Sequence, residues 1–462
     1  MISDVQSKEE VKKRWNWNCY TFIAGFVFLG IITGVSIDTF VSYLQLKSPE
    51  VTAAFSSYLG VAILIGAIII TLIPRFGYKK ILLPFPILII ISIIGIMYVK
   101  SNILLGILIV LFLSGINVSQ YVLAPMLSSY TTLENRTKMF SRALYANMAG
   151  TAIGSLFDGN LVVYFFSKYL HIGYSVANNL SAHPKLLDES QRLSYLSSYK
   201  MVFWIVCVLA VIAFVITLFL REKKEDYQEN VTREAKAKAK FNFAMFENKD
   251  LIVWLIWTFL IGFGAALICP YFPVFLNEFL HIDRGVISVI IALTYVASVL
   301  FMMVTPFVEE KLGSIIALVG CFILTIPLFI LIANGQIFGS FIVVGIGVTL
   351  FLRSGFANAC QPIQQALPMS FVKKSDRAFY NAVITVCSSA GYILGGIFTK
   401  TILFTTTSGY RQAYYITAVC YLVANLLVLA LFYKKYNRYT KGKGNIIEDS
   451  KEVKKIEEIS SK

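Results

Sequence analysis

Long apolar runs separated by short polar turns dominate this chain. They lie near 18–44, 52–73, 81–98, 102–130, 142–166, 201–220, 251–277, 285–308, 315–333, 337–363, 378–403 and 410–433. A helix needs roughly 20 apolar residues to cross a bilayer. The pattern therefore predicts an all-α integral membrane protein with twelve spans. The polar stretches divide it into an N-terminal segment (1–16), a six-helix bundle (17–220), a linker (221–250), a second six-helix bundle (251–433) and a tail (434–462). The tail has little apolar content and is expected to be disordered. The linker mixes acids and bases, as a solvated helix does.

The two bundles read as copies. WNCYTFIAGF, from Trp17 to Phe26, returns as WLIWTFLIGF, from Trp254 to Phe263, with five identities in ten. Gly77 answers to Gly313, Ser114-Gly115 to Ser354-Gly355, and RALY at Arg142 to RAFY at Arg377. Four matches in one order, at nearly constant offset, predict pseudo-symmetric halves with a working site between them.

Composition agrees. The chain is 57% hydrophobic and 15% charged, against about 25% charged in soluble proteins. A net charge of +15 raises the question of nucleic acid. With the N-terminus inside, however, 31 of the 41 Lys and Arg fall in the inner segments. That is the positive-inside bias of a multi-pass protein of a bacterial-type plasma membrane, with both termini cytoplasmic. The expected surroundings are a lipid bilayer and not nucleic acid. The seven cysteines all fall in spans without metal-ligand spacing and read as small buried residues. The first apolar segment is too long for a signal core. No GxxxxGK[ST] loop occurs, so the chain is not expected to hydrolyse ATP itself.

Several spans carry local marks. Pro84 and Pro86 should kink the third span or delay its start. The fourth is polar, with Ser114, Asn117 and Tyr121 sharing one helical face. Gly150 and Gly154 form a GxxxG in the fifth, and Gly391 and Gly395 another in the eleventh, as at close helix contacts. Pro270 and Pro273 should break the seventh locally, beside a cavity or neighbouring protein. His171 and His183 share the longest outer loop, but no third ligand accompanies them, so no metal site is expected.

Twelve spans, two halves and a central linker resemble the major facilitator superfamily. The loop after the second span keeps Arg75, Gly77 and Lys79 of that family's G-x-x-x-D-R-x-G-R-[KR] pattern, with Ile70, Pro74 and Tyr78 at its glycine, acid and second-base positions. Its copy, PFVEEKLGS, places Glu310, Lys311 and Gly313 at the acid, base and glycine positions. The resemblance implies that these loops gate the inner end; the break at Pro270 and Pro273 is expected to take part in gating as well. It also implies that spans 1, 4, 7 and 10 line a central cavity. Two marks of the family's drug antiporters are absent: Leu111 precedes Gly115 where they carry arginine, and Ser155 follows Gly154 where they carry proline.

Three charges lie deep in spans: Asp38, Asp158 and Arg353. Inserting each near the bilayer centre costs about 2.5–3.5 kcal/mol, which marks a pathway, a coupling group or an ion pair. The repeat partner of Arg353 is Leu113 and that of Asp38 is Phe275, so neither charge belongs to the scaffold. The expected solute contacts are Asp38, Ser114, Asn117, Tyr121, Arg353, Gln361 and Gln364. Asp38 and Arg353 would clamp the solute from opposite halves, and Asp38 and Asp158 would carry a coupling proton. The function expected is secondary active transport of a small polar organic solute by alternating access, proton-coupled and carried out by a monomer. The alternative is export of amphipathic drugs or lipids by proton antiport. With three histidines, none in a span or beside a motif, an enzyme is not expected, nor a cofactor beyond the coupling ion.

Overall fold

The computed structural model describes residues 2–437, apart from 132, 225, 227–246, 373–376 and 407. Most of the linker, and the tail beyond residue 437 that was expected to be disordered, lie outside the described residues. Among the described residues, twelve long helices follow in order. The first half holds α1 (Ile2–Lys47), α2 (Phe55–Phe76), α3 (Tyr78–Leu82, continued as Pro84–Tyr98), α4 (Asn102–Tyr130), α5 (Leu133–Leu170) and α6 (Glu189–Leu218). The second holds α7 (Lys249–Ile268, continued as Phe272–Glu278), α8 (Arg284–Leu312), α9 (Ser314–Ala333), α10 (Ile342–Ala359, continued as Gln361–Ala366), α11 (Arg377–Thr401) and α12 (Gly409–Tyr436). Eleven are long and apolar enough to cross a membrane. The twelfth, α5, is diluted by Asn147, Thr151, Ser155, Asp158 and Asn160. Residues 2–16 of the polar N-terminal segment are helical and run into the first span as one helix, α1.

The halves repeat the same packing devices. Gly150 and Gly154 press α5 onto α1, and a Cβ on Gly154 would lie 2.3 Å from the Ile31 carbonyl. Gly391 and Gly395 press α11 onto α7, where a Cβ on Gly391 would lie 2.7 Å from the Phe259 carbonyl. Only glycine permits such approach of two backbones. The two prolines of α7 break it as expected, with a 3₁₀ turn at Cys269–Tyr271. Pro84 opens the second segment of α3, where its missing N–H is harmless.

The turns at the linker end match too. Gly77 (φ 83°) and Gly313 (φ 85°) adopt left-handed backbone between α2 and α3 and between α8 and α9. A side chain from beyond the sixth helix of each half then caps the helix that follows. The Glu222 carboxylate accepts from the Tyr78 and Lys79 N–H at 2.6 and 3.1 Å. The Asn437 amide oxygen accepts from Ile315 and Ile316 N–H at 3.0 and 3.2 Å.

Candidate functional site

A cavity of about 500 Å³ lies between the halves. Its wall draws on α1, α4, α7 and α10, with additions from α2, α8, α9, α11 and α12. Of the expected solute contacts, Asn117, Arg353, Gln361 and Gln364 line it. Ser114 and Tyr121 do not. Ser114 is buried away from the cavity, and the Tyr121 ring covers Gly66 of α2. The face they share with Asn117 is broad enough to straddle the cavity rim, so only its middle member enters.

Arg353 is 5% exposed. Its Nη2 reaches Cys269 Sγ at 3.2 Å. Its guanidinium carbon sits 5.0 Å from the Phe272 ring centre and 5.2 Å from that of Phe329. Leu113, its repeat partner, lines the same cavity.

Asp38 is not Arg353's counterpart. It lies beyond the cavity, toward the end away from the linker, and forms an ion pair with Arg284 of α8 at 2.5 Å. Both side chains are wholly buried. The expected Asp38–Arg353 clamp is therefore absent, because the helices close over Asp38 before it can face the cavity. Asp158 of α5 joins the cluster. Its carboxylate accepts from the Thr39 N–H at 3.0 Å and bonds the Thr39 hydroxyl, and it is wholly buried in the same cluster as Asp38 and Arg284. Tyr199 of α6 places its ring 5.7 Å from the Arg284 guanidinium and its hydroxyl 3.0 Å from that of Tyr195. Two carboxyls and one guanidinium thus share a dry site across the two halves.

The backbone closes around it. Gly159 N–H donates to Ser288 Oγ at 2.7 Å, and Arg284 N–H to Ser181 Oγ at 3.1 Å. A second seam joins α2 to α7 and α11. There the Tyr271 hydroxyl and the Thr399 hydroxyl both donate to the Ala53 carbonyl, at 3.0 and 2.6 Å, and Ser57 Oγ donates to the Ile393 carbonyl at 2.8 Å. Among the described residues, the hydrogen bonds and ion pairs joining the halves all lie at this far end. At the linker end each half bonds to itself: Lys79 Nζ donates to the Leu218 and Leu220 carbonyls, and Asp250 holds Lys435 and Tyr436. The cavity is sealed on one side and reaches exposed Gln361 on the other.

The expected gating residues divide. Pro270 and Pro273 line the cavity at the break in α7. Gly77 and Gly313 form the turns described above. Arg75, Glu310 and Lys311 are exposed. Arg75 lies over the Phe76 ring and Lys311 over Phe307. The acid engaged in the second loop is Glu309, which accepts from Ser314 Oγ at 2.6 Å. Arg284, Thr39, Tyr195 and Tyr199 were missed. A signal for Arg284 existed: two acids in the first half faced one deep base in the second.

Residues 18–352 and 254–461 match the family model described as Major Facilitator Superfamily. No curated protein gives a significant sequence match. Among solved structures, the nucleoside transporter NupG superposes with TM-score 0.68 at 18% identity, over 90% of this chain and 99% of that one. The inward-open xylose transporter XylE from E. coli gives 0.61 at 16%, over 92% and 97%. A bacterial homolog of the human lysosomal transporter Spinster, inward-facing and occupied, gives 0.65 at 14%, over 92% and 98%. At these identities the likeness is one of fold.

Proposed function

The chain belongs to the major facilitator superfamily, and from that premise we propose that it is a proton-coupled secondary transporter of a small polar organic solute. The conformation described here is the one closed at the far end and open toward the linker. The positive-inside bias supports placing that opening, and both termini, in the cytoplasm. Alternating access then requires the far-end seams to part while the linker ends come together.

The observation that carries this reading is the buried Asp38–Arg284–Asp158 cluster across the two halves. One guanidinium balances one carboxylate. A second carboxylate in the same dry site leaves one uncompensated negative charge, which is too costly to keep. Two neighbouring buried carboxyls resolve this by keeping one proton between them. The closed seam therefore holds a proton. Losing it leaves a net negative charge in the dry site, a cost that is relieved when the halves part and water reaches the acids. Arg284 then meets water and Asp38 faces the far side. This couples proton movement to gate movement without any contact between proton and solute.

The test is transport in liposomes with and without a pH gradient. Asp38→Asn and Asp158→Asn should exchange solute across the membrane yet fail to accumulate it against a gradient. Normal accumulation by both variants would remove these acids from coupling.

A further inference from the structure

We infer that the cavity takes a monovalent organic anion of the carboxylate class, with Arg353 as the group that selects it. This deepens the transport reading and rests on it. Arg353 is the one charged residue among the described residues of the wall, which holds no Asp or Glu. Its Nε is buried without a hydrogen-bond partner. A desolvated cation of this kind is strongly unfavourable until an anion meets it. The scaffold does not require it, since Leu113 occupies the equivalent place on the opposite wall. The rings of Phe272 and Phe329 hold the guanidinium in place but bring no negative charge.

The rest of the wall favours the same class. The hydroxyls of Thr33, Ser36, Thr294 and Ser298 each donate to an oxygen about one turn back in their own helix. Their donors are engaged there, so Arg353 is left as the charged donor of the wall, with neutral donors such as Gln361 and Gln364 beside it. A planar guanidinium matches a carboxylate with two parallel hydrogen bonds. One cation balances one negative charge. A dianion would leave a net charge in the occluded state, and a cationic solute would meet repulsion.

Cys269 lies against Arg353 in the cavity wall and supplies a direct probe. In the full chain with Cys269 as sole cysteine, its reaction is timed with an anionic methanethiosulfonate (sulfonatoethyl) and a cationic one (trimethylammonioethyl). The anionic reagent should react faster. Its advantage should fall at least tenfold in Arg353→Leu and persist in Arg353→Lys, which keeps the charge. An equal ratio in all three proteins overturns the inference. Benzoate, nicotinate and lactate are then compared with their amides as protectants. Protection by at least one acid and not by its amide supports the inference; equal protection by the amides, or protection by none of the acids, overturns it. Flux in liposomes separates the two readings. A protecting acid that is never carried leaves the anion site standing and removes transport. Preferential carriage of neutral solutes removes the anion site and leaves transport.

Discussion

The two seams that close the far end occupy corresponding places in the repeat and use opposite chemistry. Between α2, α7 and α11 the contacts are neutral: hydroxyls of Tyr271, Thr399 and Ser57 on backbone carbonyls. Between α1, α5 and α8 a neutral Gly159–Ser288 bond is joined by a buried ion pair with a second carboxyl beside it. Asp158 stands one turn past Gly154, and Thr399 stands one turn past Gly395. A shared scaffold therefore carries an acid in one half and a hydroxyl in the other. Each neutral bond contributes about 1 kcal/mol and does not respond to pH. The charged seam is stable only while its charges balance. The difference separates a constant contact from a conditional one.

Breaking the charged seam should give the largest effect. Arg284→Met leaves Asp38 and Asp158 facing each other, and stability of the far-closed state should fall by about 3–5 kcal/mol, read as lost far-end cross-linking and a lower Tm. Adding Asp38→Asn to Arg284→Met should recover part of that loss. Next come the shared glycines. Gly154→Ala and Gly391→Ala should each cost about 1–3 kcal/mol by overpacking. The first should be worse, because its Cβ would come closer to a carbonyl. Tyr271→Phe in the neutral seam should cost about 1 kcal/mol, equally at every pH.

The smallest effect concerns the linker-end caps. Burial raises the Glu222 carboxyl above its ordinary value, against the pull of the Tyr78 and Lys79 N–H groups. The folded state therefore binds its proton more tightly than the unfolded chain. That contribution is present at low pH and is lost as pH climbs from the ordinary carboxylate value through the raised one. Glu222→Gln should flatten this pH dependence at a cost below about 1 kcal/mol. Asn437, an amide, already performs the same capping in the other half. A steep loss of stability in Glu222→Gln would show that the caps are not equivalent.

The architecture was legible because lipid imposes it. Long apolar runs must be spanning helices, and the duplicated Trp-rich segment and the paired GxxxG motifs exposed the repeat. Arg353 was legible for the same reason, as a charge that hydropathy places mid-span. Arg284 was not. It stands at the first turn of α8, after His281-Ile282-Asp283, where a base reads as a solvated rim residue. Hydropathy measures depth along the helix, whereas Arg284 is buried sideways, by the other half of the molecule. Asp38 was placed at the cavity for the same reason. Hydropathy gives its depth along α1, and only the packing of α8 against α5 places it in a dry site away from the cavity.

The central claim is that a shared proton between Asp38 and Asp158 keeps the far end closed. Spin labels at Leu186 and Ile337, which are 80% and 75% exposed at the far end of opposite halves, report its width by double electron–electron resonance. In the wild-type protein the distance distribution should shift toward wider separations as pH rises, and in Asp158→Asn it should be the same at every pH. An identical pH response in both proteins, or none in either, would contradict the account.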